Sequence, residues 1–299
     1  QLLQRALAKI GEMWFNDQVS VQQEHFASAL AMRRLNTLLA ASPAPTRPGR
    51  VLIGCPPHED HTFAPLMLTI LLRNRGWELI YLGANVPQSR FISTVESIKP
   101  DLIIMTAQQL YTAAKLFEVA QKVATEQDVM LAFGGRIFNT VPRVRQRIPG
   151  HFLGETMENA TQTVDRLLTF GLPAPATKCV PDIYAKAVDI FRDKQALIEG
   201  QAWGNLKAHG MSYEHYTNAN LHLSRDIYAA LTFGDIEFLS AEIAWVEKLL
   251  LNYSMPVAVL HGYLQAYHLA AKENLGGPAE LVVDWLAEVS RNPALTVPN

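Results

Sequence analysis

Between Arg50 and Phe170 the chain alternates short apolar runs with stretches of helical period, and this alternation narrows the fold more than any other feature. The runs cover 50–55, 77–82, 101–106 and 129–133, with a short fifth near Phe152 and Leu153. Helical stretches over 63–75, 88–98, 112–125 and 158–170 separate and follow them, and Gly76 closes the first. Five strands joined by crossover helices predict an open parallel α/β sheet of the flavodoxin-like type. Ligands of such sheets lie at the carboxyl ends of the strands. His61, Gly83, Thr106 and the pair Gly134-Gly135 all fall there.

Two proline-rich segments bound this domain. Residues 41–49 hold Pro43, Pro45, Pro48 and Gly49, and residues 171–176 run Gly-Leu-Pro-Ala-Pro-Ala; both read as linkers. Upstream, residues 1–41 form a helical cap, part of a four-helix bundle, in which Ser20 and Gln23 fit a capping box at the start of the second helix. Helical periodicity is already present in the first residues. Downstream, residues 178–299 predict an all-α bundle of about five helices. Its helices cover 182–198, 212–232, a stretch restarting at Gly234-Asp235 and ending near Tyr253, one beginning at Ser254 and Pro256, and one after Gly276-Gly277-Pro278. The expected domains are therefore 1–41, 49–171 and 178–299.

At 299 residues, about half of them hydrophobic, the chain can bury more than one core. A formal charge of −2 gives no basic footprint for nucleic acid, and no DNA-binding motif is visible. No apolar run reaches the ~18 residues of a membrane span, and no secretory leader is seen. Cys55 and Cys179 alone make no disulfide framework, so a reducing cytoplasm is expected. No Ser/His/Asp or Cys/His set stands out, so a sensory or regulatory module is expected rather than an enzyme.

The densest chemistry is the loop His58-Glu59-Asp60-His61, just past the first apolar run. An imidazole there can reach a planar ligand across the carboxyl end of a sheet. Glu59-Asp60-His61-Thr62-Phe63-Ala64 resembles the Asp/Glu-x-His-x-x-Gly loop of cobalamin-binding domains of the methionine-synthase type. Forty-one residues separate Ala64 from Thr106, where the family has Ser-x-Leu, and Gly134-Gly135 follows at the expected distance. The resemblance spans 5–168. It implies that His61 replaces the cofactor's dimethylbenzimidazole as lower cobalt ligand. It further implies that Glu59 orients that imidazole, and that the displaced tail threads past Thr106 and the glycines, where the backbone must approach closely. The chain departs from the pattern at Ala64, which stands for glycine, and at Thr106-Ala107-Gln108, which keeps the hydroxyl but not the leucine.

The stretch from Trp14 to Glu24-His25 is similar to the Trp-x9-Glu-His signature of CarH-type light-sensing adenosylcobalamin receptors. That resemblance implies that Trp14 caps the adenosyl group, Glu24 contacts it, and His25 ligates cobalt after light breaks the cobalt–carbon bond. A methyl carrier needs an open upper face, so a tryptophan cap argues for a retained adenosyl group.

The carboxy-terminal helices gather Trp203, His209, Tyr213, His215, Tyr216 and His222 in and before one helix, and His261, Tyr263, Tyr267 and His268 on another. For any one of these residues the plain reading is a bundle with aromatics inside and histidines on its surface. Together they suit an extended conjugated ligand: Lys207, Arg225, His222, His261 and His268 for acidic side groups, Asp226 for pyrrole N–H groups, and Tyr213 beside them. The layout resembles the photocobilins, which pair cobalamin with biliverdin. Cys179 offers a thioether site, and a non-covalent bilin is equally open.

The resulting expectation is a cytoplasmic photoreceptor holding adenosylcobalamin and biliverdin, with a light-dependent homo-oligomer and an output domain, fused or separate. Two alternatives stay open: a corrinoid methyl carrier serving a methyltransferase, and a regulator that senses cobalamin level.

Overall fold

The computed structural model describes residues 2–206 and 212–291, with the backbone alone at 241 and 242. The chain forms two compact units. One holds Ser28–Cys179; the other joins Gln1–Ala27 to Val180–Asn299.

The first unit is built on a five-stranded parallel sheet in the order β2-β1-β3-β4-β5. Its strands are β1 (Arg50–Gly54), β2 (Glu78–Gly83), β3 (Leu102–Thr106), β4 (Met130–Gly134) and β5 (His151–Phe152). β3 is buried throughout and β1 nearly so, as strands covered on both faces must be. This is the flavodoxin-like order, in which the chain reverses its direction of travel between β1 and β3. Helices α3 (Phe63–Arg73), α4 (Gln88–Ile98) and α5 (Leu110–Glu126) are its long connections, α6 (Arg136–Thr140) is a short one, and α7 (Met157–Phe170) follows β5. Val51, Ile53, Leu72, Trp77, Ile104, Val164 and Leu167 are among the core residues of the unit. Helix α7 ends at Gly171 in the left-handed conformation glycine favours, at φ +59°.

Within this unit the element boundaries shift by one or two residues from expectation. Helix α5 starts at Leu110, two residues early, because the Gln109 N–H donates to the Thr112 hydroxyl at 3.3 Å and opens the helix there. The fifth strand is His151–Phe152, one residue early.

The first linker is docked rather than loose. The amides of Thr46 and Arg47 both donate to the Gly76 carbonyl at 2.9 Å. The Arg73 Nε donates to Pro43 O at 3.2 Å. Gly76 has φ +93°, and a Cβ there would collide with the Thr46 side chain. Asp165 on α7 completes the attachment, accepting from Trp77 Nε1 at 2.7 Å, Arg47 at 3.3 Å and Arg75 at 2.5 Å.

The second unit is helical. It contains α1 (Leu2–Phe15), α8 (Asp182–Leu206), α9 (Tyr213–Phe233), α10 (Ser240–Asn252), α11 (Ala258–Asn274) and α12 (Glu280–Arg291). Helix α8 runs eight residues past its expected end through Gly200 and Gly204, because α9 and α11 pack along it and outweigh the weak helix propensity of glycine. Ser212 caps α9, accepting from the His215 N–H at 3.2 Å, and Gly234 ends it at φ +72°. Helix α2 (Val21–Ala40) opens with the anticipated reciprocal cap: the Ser20 amide donates to Gln23 Oε1 at 2.8 Å and the Gln23 amide to Ser20 Oγ at 3.3 Å. The segment 1–41 is shared: residues up to Ala27 group with the carboxy-terminal helices, and the part of α2 carrying buried Ala31 and Leu35 groups with the sheet. Among the described residues no helix is long and apolar enough to cross a membrane.

Candidate functional site

The site is assembled where β1 and β3 lie side by side and their connections leave in opposite directions, the usual place for a ligand in such a sheet. The loop after β1 carries Glu59 and His61; the loop after β3 carries Gln108 and leads into Thr112 on α5. The β1 loop is tied to the loop after β2. The Asn85 side chain accepts from the His58 amide at 2.7 Å, and the Asn85 amide donates to Glu59 O at 2.9 Å. His58 sits at φ +66°, an unusual conformation for histidine, and that turn sends Glu59 inward.

Glu59 is the hub. It has 0% exposure, so both carboxylate oxygens depend on protein donors. Oε1 accepts from the His61 amide at 2.9 Å and is 2.6 Å from His61 Nδ1. Oε2 accepts from the Gln108 amide at 2.7 Å and the Thr112 hydroxyl at 2.6 Å. Burial raises the carboxyl's pKa, but the His61, Thr112 and Gln108 donors outweigh it, and Glu59 is held below its ordinary range. An ionised Glu59 only accepts, so His61 Nδ1 carries the proton. The hydrogen bond to Glu59 raises the His61 pKa against the opposing effect of burial. The imidazole therefore has one tautomer, a fixed ring and a more basic Nε2, and its side chain is 60% exposed. This is how a metal-ligating histidine is prepared.

Thr106 and the glycines line the ends of β3 and β4. Thr106 is buried, paired with Gly134 across the sheet, and its hydroxyl lies 3.7 Å from Cys55 Sγ. Burial pushes the Cys55 thiol up to about 12. Gly135 has φ +125°, and a Cβ there would fall on the Ala107 carbonyl. Its close approach is thus to the neighbouring loop of this chain. A Cβ at Gly83, by contrast, would meet nothing within 4 Å. Gln108 accepts from the Arg136 amide at 3.0 Å, while its buried Nε2 has no partner among the described residues. A fixed imidazole, open space beside Gly83 and a buried amide nitrogen without a partner among the described residues fit a large polar cofactor that carries a metal.

Thr112 and the Gln108 amide are the functional partners that sequence reasoning missed. One signal was present: Thr112 stands on the stripe continued by Leu116, Val119 and Val123, all buried. A hydroxyl on a buried stripe needs a partner.

Trp14, Glu24 and His25 lie in the helical unit. Trp14 is half-buried near the end of α1. Glu24 and His25 belong to the first turn of α2, 3.8 Å apart, with the His25 side chain 74% exposed.

Among the carboxy-terminal residues, Lys207 and His209 lie outside the described residues. Tyr213 is exposed and meets Trp203 edge-on at 5.2 Å. His222 is exposed, and Arg225, Asp226, His261 and His268 are half-buried. His261 lies 3.4 Å from Glu247. Tyr216, Tyr263 and Tyr267 go inward, forming a column that starts at Trp203, with ring centres 5.0 to 6.0 Å apart. Tyr263 donates to Asn220 at 2.8 Å, whereas the Tyr267 hydroxyl and the Trp285 indole N–H are buried without a partner among the described residues.

Residues 49–162 match the family model for the B12 binding domain. Over 89 residues the chain is 36% identical to the HTH-type transcriptional repressor CarA of Myxococcus xanthus, covering 29% of this chain and 31% of that protein. Over 158 residues it is 27% identical to the HTH-type transcriptional repressor CarH of the same organism, covering 52% of each. The chain thus spans about a third and about half of the length of these two curated relatives. Similar solved structures include a cobalamin-binding protein from Desulfitobacterium hafniense DCB-2, at 14% identity and a TM-score of 0.34, covering 55% of this chain and 78% of that one. Another is the methanol:cobalamin methyltransferase complex MtaBC from Methanosarcina barkeri, at 17% identity and a TM-score of 0.37, covering 57% and 66%.

Proposed function

We propose, from the match of residues 49–162 to the family model for the B12 binding domain and the similarity to CarH, that the chain is a light sensor that holds adenosylcobalamin through His61. The observation that carries this reading is the buried Glu59, which holds His61 Nδ1 at 2.6 Å and leaves Nε2 for a metal. The similarity to two transcriptional repressors supports a regulatory role over an enzymatic one.

When bound, adenosylcobalamin supplies a cobalt–carbon bond that green light breaks. His61 would hold the cobalt through Nε2. Thr106, Gly134, Gly135 and the Gln108 side-chain amide, its nitrogen without a partner among the described residues, are assigned to the nucleotide tail. On the strength of the Trp-x9-Glu-His spacing, Trp14 and Glu24 are assigned to the adenosyl side. His25 is assigned as the imidazole that would hold the cobalt in protein without the adenosyl group.

The carboxy-terminal helices are assigned a second chromophore, biliverdin. The aromatic column and two buried donors without partners among the described residues, the Tyr267 hydroxyl and the Trp285 indole N–H, support a ligand in this unit. Arg225, His222, His261 and His268 are assigned to its propionates, Asp226 to its pyrrole N–H groups and Tyr213 to its edge; Lys207 completes the set.

Absorption spectra of protein reconstituted in darkness with both cofactors, before and after green light, test the reading. The expected result is loss of the alkylcobalamin bands on illumination beside a far-red bilin band. A cobalamin change without a retained bilin removes the second chromophore. Stable binding without a protein-specific light response overturns the sensor in favour of a corrinoid methyl carrier or a sensor of cobalamin level.

A further inference from the structure

Helix α1 has no buried residue, yet it ends on the two side chains with the most surface to bury, Trp14 and Phe15. Both meet α10 or the residue that follows it. Phe15 stacks on Trp245, with ring centres 5.5 Å apart and planes at 27°, and the Lys248 ammonium lies 5.9 Å from the Phe15 ring. The Trp14 and Tyr253 rings are 6.5 Å apart. The last carbonyls of a helix lack partners within it. Here Phe15 O is satisfied from far along the chain, and Trp14 O, which accepts from the Asp17 amide at 3.0 Å, gains a second donor from there. Tyr253 donates its hydroxyl to Trp14 O at 2.7 Å, and Asn252 donates its amide to Phe15 O at 2.8 Å. Trp245, Lys248 and Asn252 are spaced three and four apart, so one face of α10 makes the attachment. The end of α1 is therefore capped and packed by the carboxy-terminal helices.

We infer that Trp245, Asn252 and Tyr253 are positioning residues for Trp14, through which the carboxy-terminal helical unit sets how well the chain distinguishes an adenosyl upper ligand from a small one. The inference rests on the assignment of Trp14 to the adenosyl side. Coupling of this kind is reciprocal: whatever displaces Trp14 loosens α1 from α10. A change in the upper ligand is thereby felt in the helical unit without any contact between that ligand and α10.

Hydrogen exchange and cofactor affinity of the full chain test this together, in the wild type, Tyr253→Phe and Asn252→Ala. In protein without cofactor, each variant is expected to speed exchange of the amides at the end of α1 about five- to tenfold, as the loss of one hydrogen bond implies. Amides of the sheet should be unchanged. In titrations, adenosylcobalamin affinity is expected to fall several-fold while hydroxocobalamin affinity stays constant. Unchanged α1 exchange overturns the attachment. Equal weakening of both cobalamins, or none, overturns the positioning role. A wild-type chain that binds both forms equally overturns the assignment of Trp14 itself, and the positioning role with it, whatever the exchange shows of α1.

Discussion

A carboxylate shut away from water stays ionised only when donors replace the water it has lost, and Glu59 has four of them. Three come from groups around the β1 and β3 loops and one from α5, so this side chain joins the elements that form the site. Glu59→Gln keeps the shape but removes the charge and turns an NH2 group toward at least one existing donor. Cobalamin affinity should fall about 10–100-fold, the usual consequence of losing the partner of a ligating histidine, as read by titration with hydroxocobalamin. Unchanged affinity would show that Glu59 does not support ligation through His61. The pair Glu59 and His61 was legible in the sequence because two residues of spacing set their contact locally. Thr112 was not, since its partner lies 53 residues away and only the pairing of β1 with β3 brings them together.

Among the elements, the first linker departs furthest from its composition. Three prolines and a glycine suggest a spacer, but the segment is bound along the turn between α3 and β2. Asp165 anchors both Arg47 of the linker and Arg75 and Trp77 of that turn. Asp165→Ala leaves the Trp77 indole N–H and two guanidinium groups without this acceptor, at a cost of about 1–3 kcal/mol. The variant should show a lower urea midpoint for the sheet unit and faster protease cleavage within residues 41–49. A linker as resistant as in the wild type would mean that the amide bonds to Gly76 suffice alone. Capping signals were more reliable than linker composition. Ser20 with Gln23 and Ser212 each begin a helix as their chemistry demands, because a cap is satisfied within one turn.

For the whole molecule, light is expected to act through association. Protein loaded with adenosylcobalamin should change its size-exclusion elution after green light, and protein without the cofactor should not. Identical elution after complete photolysis would rule out association as the output. The sequence by itself determined the alternation that makes a parallel sheet, the helical remainder, the caps, and the Glu59-His61 pair. Each follows from periodicity or from contacts within a few residues. Tertiary structure decided the partners of buried polar groups and the grouping of the elements. Thr112 and Gln108 reach Glu59, Asp165 reaches the linker, and Tyr253 reaches Trp14 across separations of 49 to 239 residues. The physical reason is that a buried donor or acceptor must be satisfied wherever the fold places it, and local periodicity carries no record of which distant group will be there.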